Sequence, residues 1–68
     1  MSKWQAVYKT SQLYKAEIVK AILFDRGLSP ILIDKQDSNY KIGYFEVNVS
    51  PDEVLKAIKI IENEIDFK

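Results

Sequence analysis

Alternating hydrophobic and polar positions predict three short strands. The first covers Trp4 to Tyr8, with Trp4, Ala6 and Tyr8 on one side, although Val7 interrupts the alternation. Ile31 to Ile33 form a short second strand. The third strand, Tyr44 to Val49, alternates most clearly and is predicted to divide its side chains between two faces, with Phe45, Val47 and Val49 on one and Tyr44, Glu46 and Asn48 on the other.

Helical signals follow the first and third strands. Thr10 and Ser11 are candidate N-caps of a first helix, which runs to about Arg26 and ends at Gly27, a residue suited to a left-handed C-terminal cap. The run Ser50–Glu53 predicts the start of a second helix: the serine caps, the proline fits the first helical position and the glutamate completes a capping box. The predicted apolar stripe of this helix is Val54, Ile58, Ile61 and Ile65, supported by Leu55 and Ala57.

The order β-α-β-β-α predicts an α+β fold built on a ferredoxin-like split β-α-β unit, in one domain over residues 1–68. A right-handed crossover joins strands one and two, and strand three fills the gap between them. We therefore expect a three-stranded antiparallel sheet of order 1-3-2 with two helices on one face. The chain ends directly after the second helix, so the first strand is expected to keep a free edge.

Composition narrows the classes of function. A 68-residue chain that is 47% hydrophobic folds around a thin core, which favours a homo-oligomer. Ten basic and ten acidic residues cancel, so we expect neither nucleic acid nor a membrane as partner. The chain has no cysteine and no histidine, and we expect no metal and no cofactor. The amino terminus lacks the apolar run of a signal peptide, and a cytoplasmic protein is expected.

The polar run from Asp34 to Lys41 is the main candidate site. It is longer than the commonest hairpin loops. In one interpretation it is only a turn, which Asp37 and Ser38 shape by bonding to their own backbone. In the other it is a recognition loop whose exposed side chains bind a partner: Lys35, Asp37, Ser38 and Tyr40. Its acidic residues do not have the spacing of a calcium-binding EF-hand loop.

Two other chemistries receive little support. An RNA-binding sheet of this fold carries paired aromatic side chains on its open face with basic residues nearby. Here Tyr44 stands alone on that face, beside the carboxylate of Glu46. The acidic residues Glu62, Glu64 and Asp66 are more simply the solvated face of the last helix than a catalytic group, and an enzyme is not expected.

The first helix has apolar residues on more than one side, and they include Tyr14, Ile18 and Phe24. Such a helix usually contacts more than one neighbour, and a chain of this size can hardly supply two. We therefore expect part of this helix to form an interface between copies. The alternative is that single apolar side chains simply lie on the surface.

Several stretches together resemble a known family: the segment Ala16–Leu23, the glycine at Gly27, the polar run from Asp34 to Tyr40 and the segment Gly43–Ile61. The chain is similar to the small bacterial domains labelled prokaryotic signal-transducing proteins, a family of unknown function. Asp34 stands where relatives often have asparagine. The resemblance implies a ferredoxin-like fold related to the PII proteins, in which the connection between strands two and three contacts partner proteins.

We therefore expect a non-catalytic interaction or regulatory module of unknown specific function that associates with itself and with a protein partner. The alternative is a sensor of a small-molecule ligand, in which the polar loop or the subunit interface holds a metabolite.

Overall fold

A computed structural model describes residues 3–35 and 43–65 of the chain. Its elements follow in the order β-α-β-β-α, as the sequence predicts. They are β1 (Gln5–Thr10), α1 (Leu13–Asp25), β2 (Ile31–Asp34), β3 (Phe45–Val49), a short 3-10 turn (Pro51–Glu53) and α2 (Val54–Glu64).

The three strands form one antiparallel sheet in the order β1-β3-β2. Val47 and Val49 of the central strand are fully buried and share a core with residues of both helices. Both helices therefore cover the same face of the sheet, and the predicted ferredoxin-like α+β architecture is confirmed. The helical part of that core consists of Ala16, Val19 and Leu23 from α1 and Ala57 and Ile60 from α2.

A bulge in β1 corrects the predicted facing of the first strand. Ala6 pairs with Asn48 and Tyr8 pairs with Val47, so Val7 is one extra residue between successive pairs. A bulge of this kind reverses the alternation that follows it. Ala6 therefore lies on the face away from the helices, whereas Val7 and Tyr8 both pack against the core. The sequence-based expectation that Ala6 and Tyr8 share a face is wrong, and the bulge is the reason.

The end of α1 agrees with the sequence. Gly27 has a φ of +91°, in the region that glycine adopts without strain. Its N–H donates to the carbonyl of Phe24 at 3.1 Å, and the N–H of Leu28 donates to the carbonyl of Leu23 at 3.1 Å. This pair of bonds is a Schellman motif. The buried side chains of Leu28 and Leu23 belong to one core, so the motif turns the chain and contributes to packing.

The start of α1 differs from the expectation. The N-cap position is Gln12, and its side chain makes no capping bond. Thr10 lies two residues before this N-cap, and its Oγ1 accepts a hydrogen bond from the N–H of Gln12 at 3.1 Å. The hydroxyl thus stabilises the turn between β1 and α1 rather than a free amide inside the helix.

The start of α2 also needs a correction. Ser50 precedes the 3-10 turn in an extended conformation, and its side chain makes no capping bond. The N–H of Glu53 donates to the backbone carbonyl of Ser50 at 2.9 Å. The Glu53 carboxylate accepts a hydrogen bond from the N–H of Ser29 at 3.1 Å. The predicted capping box is therefore replaced by a bond between the α2 start and the connection from α1 to β2.

The buried stripe of α2 is rotated relative to the prediction. Ala57 and Ile60 are its buried residues, while Leu55 and Ile58 are exposed. The predicted members Val54, Ile61 and Ile65 do pack against the core. Successive residues turn by about 100° on a helix. A buried stripe that contains Ile60 and not Ile58 is therefore centred on a different side of α2 from the predicted stripe.

Candidate functional site: the open face of the sheet

The structure describes only the start of the predicted recognition loop, and it places Asp34 within β2, paired with Phe45, rather than in the loop. The N–H of Lys35 donates to the carbonyl of Tyr44 at 2.9 Å, which continues the pairing of β2 and β3 beyond Asp34. The Lys35 side chain is exposed. The other predicted site residues, Asp37, Ser38 and Tyr40, lie outside the described residues.

The face of the sheet opposite the helices forms a second candidate site, which we call the open face. Glu46 and Asn48 of β3 lie on it, because they alternate with Val47 and Val49 of the core. The strand register places Ala6 and Ile31 on either side of Asn48, and Lys9 and Ile33 on either side of Glu46. The alternation also assigns Tyr44 to this face, as the sequence predicts.

Two charged side chains of the open face, those of Lys9 and Glu46, contact each other. The Nζ atom of Lys9 lies 3.9 Å from a carboxylate oxygen of Glu46 and 5.8 Å from the centre of the Tyr44 ring. The Lys9 side chain is 63% exposed, whereas that of Glu46 is only 11% exposed. Lys9 therefore neutralises a nearly buried carboxylate and also lies within cation–π range of the ring.

This arrangement weakens the case for RNA on the open face. The Lys9 ammonium already lies within cation–π range of the Tyr44 ring, the aromatic side chain on which a base would stack. The neighbouring Glu46 carboxylate repels phosphate. The positive charge of Lys9 is matched by the negative charge of Glu46. Lys35, which the register places opposite Tyr44 on the same face, adds one further positive charge, and a single lysine does not make a basic patch.

Asn48 is the unusual residue of the open face. It stands on the central strand and is only 6% exposed. Its Oδ1 atom is buried and has no hydrogen-bond partner within the described part of the chain. Buried amide oxygens are usually paired, since an unpaired one costs about 1–3 kcal/mol. Asn48 is therefore the residue of the open face whose hydrogen bonding the described part of the chain leaves incomplete.

Apolar side chains surround the polar centre of the open face. Ile31 is 42% exposed beside Asn48, and Ala6 is exposed on the other side. Trp4, directly before β1, is also exposed, and alternation from Ala6 places it on the same side. The open face thus combines an apolar surround with a polar centre.

The outer surface of α1 is a third candidate. Tyr14, Ile18 and Phe24 are exposed although Ala16 and Val19 of the same helix are buried, which confirms that this helix is apolar on more than one side. An open groove of about 650 Å³ lies between α1 and β2. Its lining consists of Glu17, Lys20, Ala21, Phe24, Asp25 and Leu32.

Sequence reasoning placed Glu46 and Asn48 on the correct face but missed the contribution of Lys9. The first-strand bulge moves Lys9 into register with Glu46, and nothing in the local sequence except the interruption at Val7 signals it. The burial of Asn48 was also missed, because burial depends on the neighbouring strands.

Comparison with family models, with curated proteins and with solved structures found no significant match to this chain. The resemblance to the signal-transducing family therefore stays a prediction from the sequence.

Two further observations concern the described ranges, 3–35 and 43–65. Neither helix there is long and apolar enough to cross a membrane. Within the same ranges, no three acidic, histidine or cysteine side chains come together in a group that could hold a metal ion.

Proposed function

We propose that this chain is a non-catalytic interaction or regulatory module that works by associating with itself and through its polar loop, residues 34–41. The observation that carries the proposal is the open face, where exposed apolar side chains surround Asn48, whose buried amide oxygen has no hydrogen-bond partner within the described residues. A surface of this kind gains free energy when a second protein surface removes the apolar atoms from water.

The side-chain inventory supports the non-catalytic part of the proposal. The chain has neither histidine nor cysteine, the commonest general base and the strongest protein nucleophile. The charged pair of the open face, Lys9 and Glu46, is engaged in mutual neutralisation. The regulatory part rests on the sequence resemblance to the signal-transducing domains.

A small-ligand sensor is the second candidate, and the groove between α1 and β2 favours it. The groove carries the ammonium of Lys20 and the carboxylates of Glu17 and Asp25 beside the exposed ring of Phe24. Small-molecule sites combine apolar lining with a few polar groups in this way. None of the residues that line the groove belongs to the polar loop, residues 34–41, where the sequence predicts a ligand site.

The first test measures the mass of the protein in solution from about 1 µM to about 1 mM, a range that covers weak self-association. We expect the average mass to rise from 7.9 kDa towards twice that value as the concentration increases. Sedimentation equilibrium or light scattering gives this mass directly. A mass of 7.9 kDa throughout the range would refute self-association.

A further inference from the structure

We propose that the outer edge of β2 binds an extended peptide segment of a partner protein as an added strand, with one apolar side chain in the groove between α1 and β2 and a lysine or arginine two positions away. This inference rests on the proposed role as an interaction module. It names the chemistry of a partner and a binding surface centred on Leu32, outside the polar loop.

The backbone of β2 has a row of hydrogen-bonding groups that points out of the sheet. The N–H of Lys35 donates to the carbonyl of Tyr44, so these two residues form a hydrogen-bonded pair of the antiparallel ladder. Such pairs alternate along a strand, and the register of β2 against β3 has no irregularity. Ile33 therefore also bonds to β3, whereas the N–H and C=O of Leu32 point away from it. In the described part of the chain, no further strand pairs with this edge.

The groove between α1 and β2 reaches this edge, because Leu32 lines it. In an antiparallel pair, side chains of residues that lie opposite each other are on the same side of the sheet. The peptide residue that bonds to both backbone groups of Leu32 therefore places its side chain in the groove. There it meets the ring of Phe24, which is 71% exposed. Backbone bonds at an edge combined with a pocket for one side chain are the features of sites that bind a peptide by strand addition.

The other edge of the sheet, β1, is a poorer template. The bulge at Val7 interrupts its row of backbone groups, and bulges are a common protection of sheet edges. The residues that line the groove belong to α1 and β2 rather than to β1. β2 has only four residues, so few backbone bonds are available. We therefore expect weak and reversible binding, with a dissociation constant of about 10 µM to 1 mM.

The charges of the groove favour a basic residue in the peptide. Its lining carries the carboxylates of Glu17 and Asp25 and one ammonium, that of Lys20. Next to the groove residue of β2, Asp34 and Lys35 add one charge of each sign, so an excess of negative charge remains. The two groove carboxylates are about 12 Å apart along α1. Peptide side chains two positions before and two positions after the groove residue are about 13 Å apart, so a lysine or arginine at either position is favoured.

The probe for the test is a blocked heptapeptide with the order threonine, lysine, threonine, isoleucine, threonine, lysine, threonine. Its two lysines make the test independent of which carboxylate is contacted. Amide hydrogen exchange is measured by NMR on the labelled protein. With peptide at about ten times its dissociation constant, we expect exchange of the Leu32 N–H to slow about tenfold, because a peptide carbonyl accepts from it. The N–H of Ile33, which already bonds to β3, should change by less than about twofold.

Methylation of single peptide nitrogens tests the added strand directly. We expect a methyl group on the nitrogen of the central isoleucine to weaken binding about tenfold or more, because the carbonyl of Leu32 loses its donor. A methyl group on the nitrogen of the next threonine should change binding by less than about threefold, because that N–H points away from β2. A groove that held only a side chain would not distinguish the two peptides.

Two exposed apolar residues provide matched protein variants. Phe24 in the groove is 71% exposed, and Leu55 on α2 is 77% exposed. We expect Phe24→Ala to weaken peptide binding about fivefold or more and Leu55→Ala to leave it within about twofold. Asp25→Asn should weaken binding of the lysine peptide but not of an analogue with glutamine at both lysine positions. Thermal melts establish that the variants fold.

The outcomes separate this inference from the proposed function. Slower exchange at Leu32, the difference between the methylated peptides and the loss of affinity in Phe24→Ala together support the edge of β2. No binding at about 2 mM peptide, or binding that leaves Leu32 unprotected as a ligand of the groove alone would, overturns it. Neither result bears on self-association or on the polar loop. Exchange at Leu32 that slows with protein concentration and without peptide identifies a second copy as the occupant, which overturns the peptide and supports self-association.

Discussion

Replacing Glu53 with alanine is expected to destabilise the protein more than replacing the predicted helix cap, Ser50. The Glu53 carboxylate accepts a hydrogen bond from the N–H of Ser29 at 3.1 Å. This bond joins the start of α2 to the connection between α1 and β2, where Leu28 and Pro30 are buried on either side of Ser29. Its loss loosens a contact between segments 24 residues apart in the chain.

The magnitude follows from the environment of the bond. A hydrogen bond to a charged group contributes about 1.5–3 kcal/mol when water is excluded. Ser29 is exposed and Glu53 is only half-buried, so water partly replaces the carboxylate in the variant. We therefore expect Glu53→Ala to lower the free energy of unfolding by about 1 kcal/mol, or to lower the melting temperature by about 4–8 °C for a domain of this size.

Two companion variants make the assay decisive. Glu53→Gln keeps an acceptor oxygen without the charge, and we expect it to recover about half of the loss. Ser50→Ala removes a hydroxyl that makes no capping bond and should stay within about 0.5 kcal/mol of the parent. Urea titration of the three variants and the parent gives the free energies. A Ser50→Ala variant as unstable as Glu53→Ala would refute the reasoning and restore the capping box.

At Gly27, where φ is +91°, a Cβ would meet no atom within 4 Å, so Gly27→Ala should cost about 1 kcal/mol from backbone strain alone. Gly27→Asn should cost less in the same melt, and equal costs would count against the strain account. In the polar loop, alanine at Lys35, Asp37 and Tyr40 together should change the free energy of unfolding by less than about 0.5 kcal/mol and abolish capture of a partner protein from lysate. If Asp37→Ala alone costs about 1 kcal/mol, the loop is a turn that this side chain shapes.

The order of the elements and the end of α1 could be read from the sequence because their causes are local. Alternation along Phe45–Val49 has a period of two in any strand, and it was enough to assign Glu46 and Asn48 to the face away from the core. Gly27 ends α1 because a positive φ suits glycine whatever surrounds it. The sheet order followed from the right-handed crossover rule together with the element order.

Only part of the candidate site, the open face, could be predicted from the sequence in this way. Alternation shows which face Asn48 occupies, but it does not show that the residue is buried or that Ala6 and Ile31 lie beside it. Those neighbours are set by the register of β1 and β2 against β3. A bulge of one residue at Val7 changes that register, and the sequence showed it only as an interrupted alternation.

Tertiary packing decided the remaining features through contacts between distant segments. It selected Ile60 rather than Ile58 for the core, because the position of α2 over the sheet determines which side of an apolar helix is buried. It directed the Glu53 carboxylate to Ser29 rather than to its own helix start. A local sequence pattern shows which groups need partners. Where several partners satisfy the same need, only the three-dimensional arrangement of the chain selects one of them.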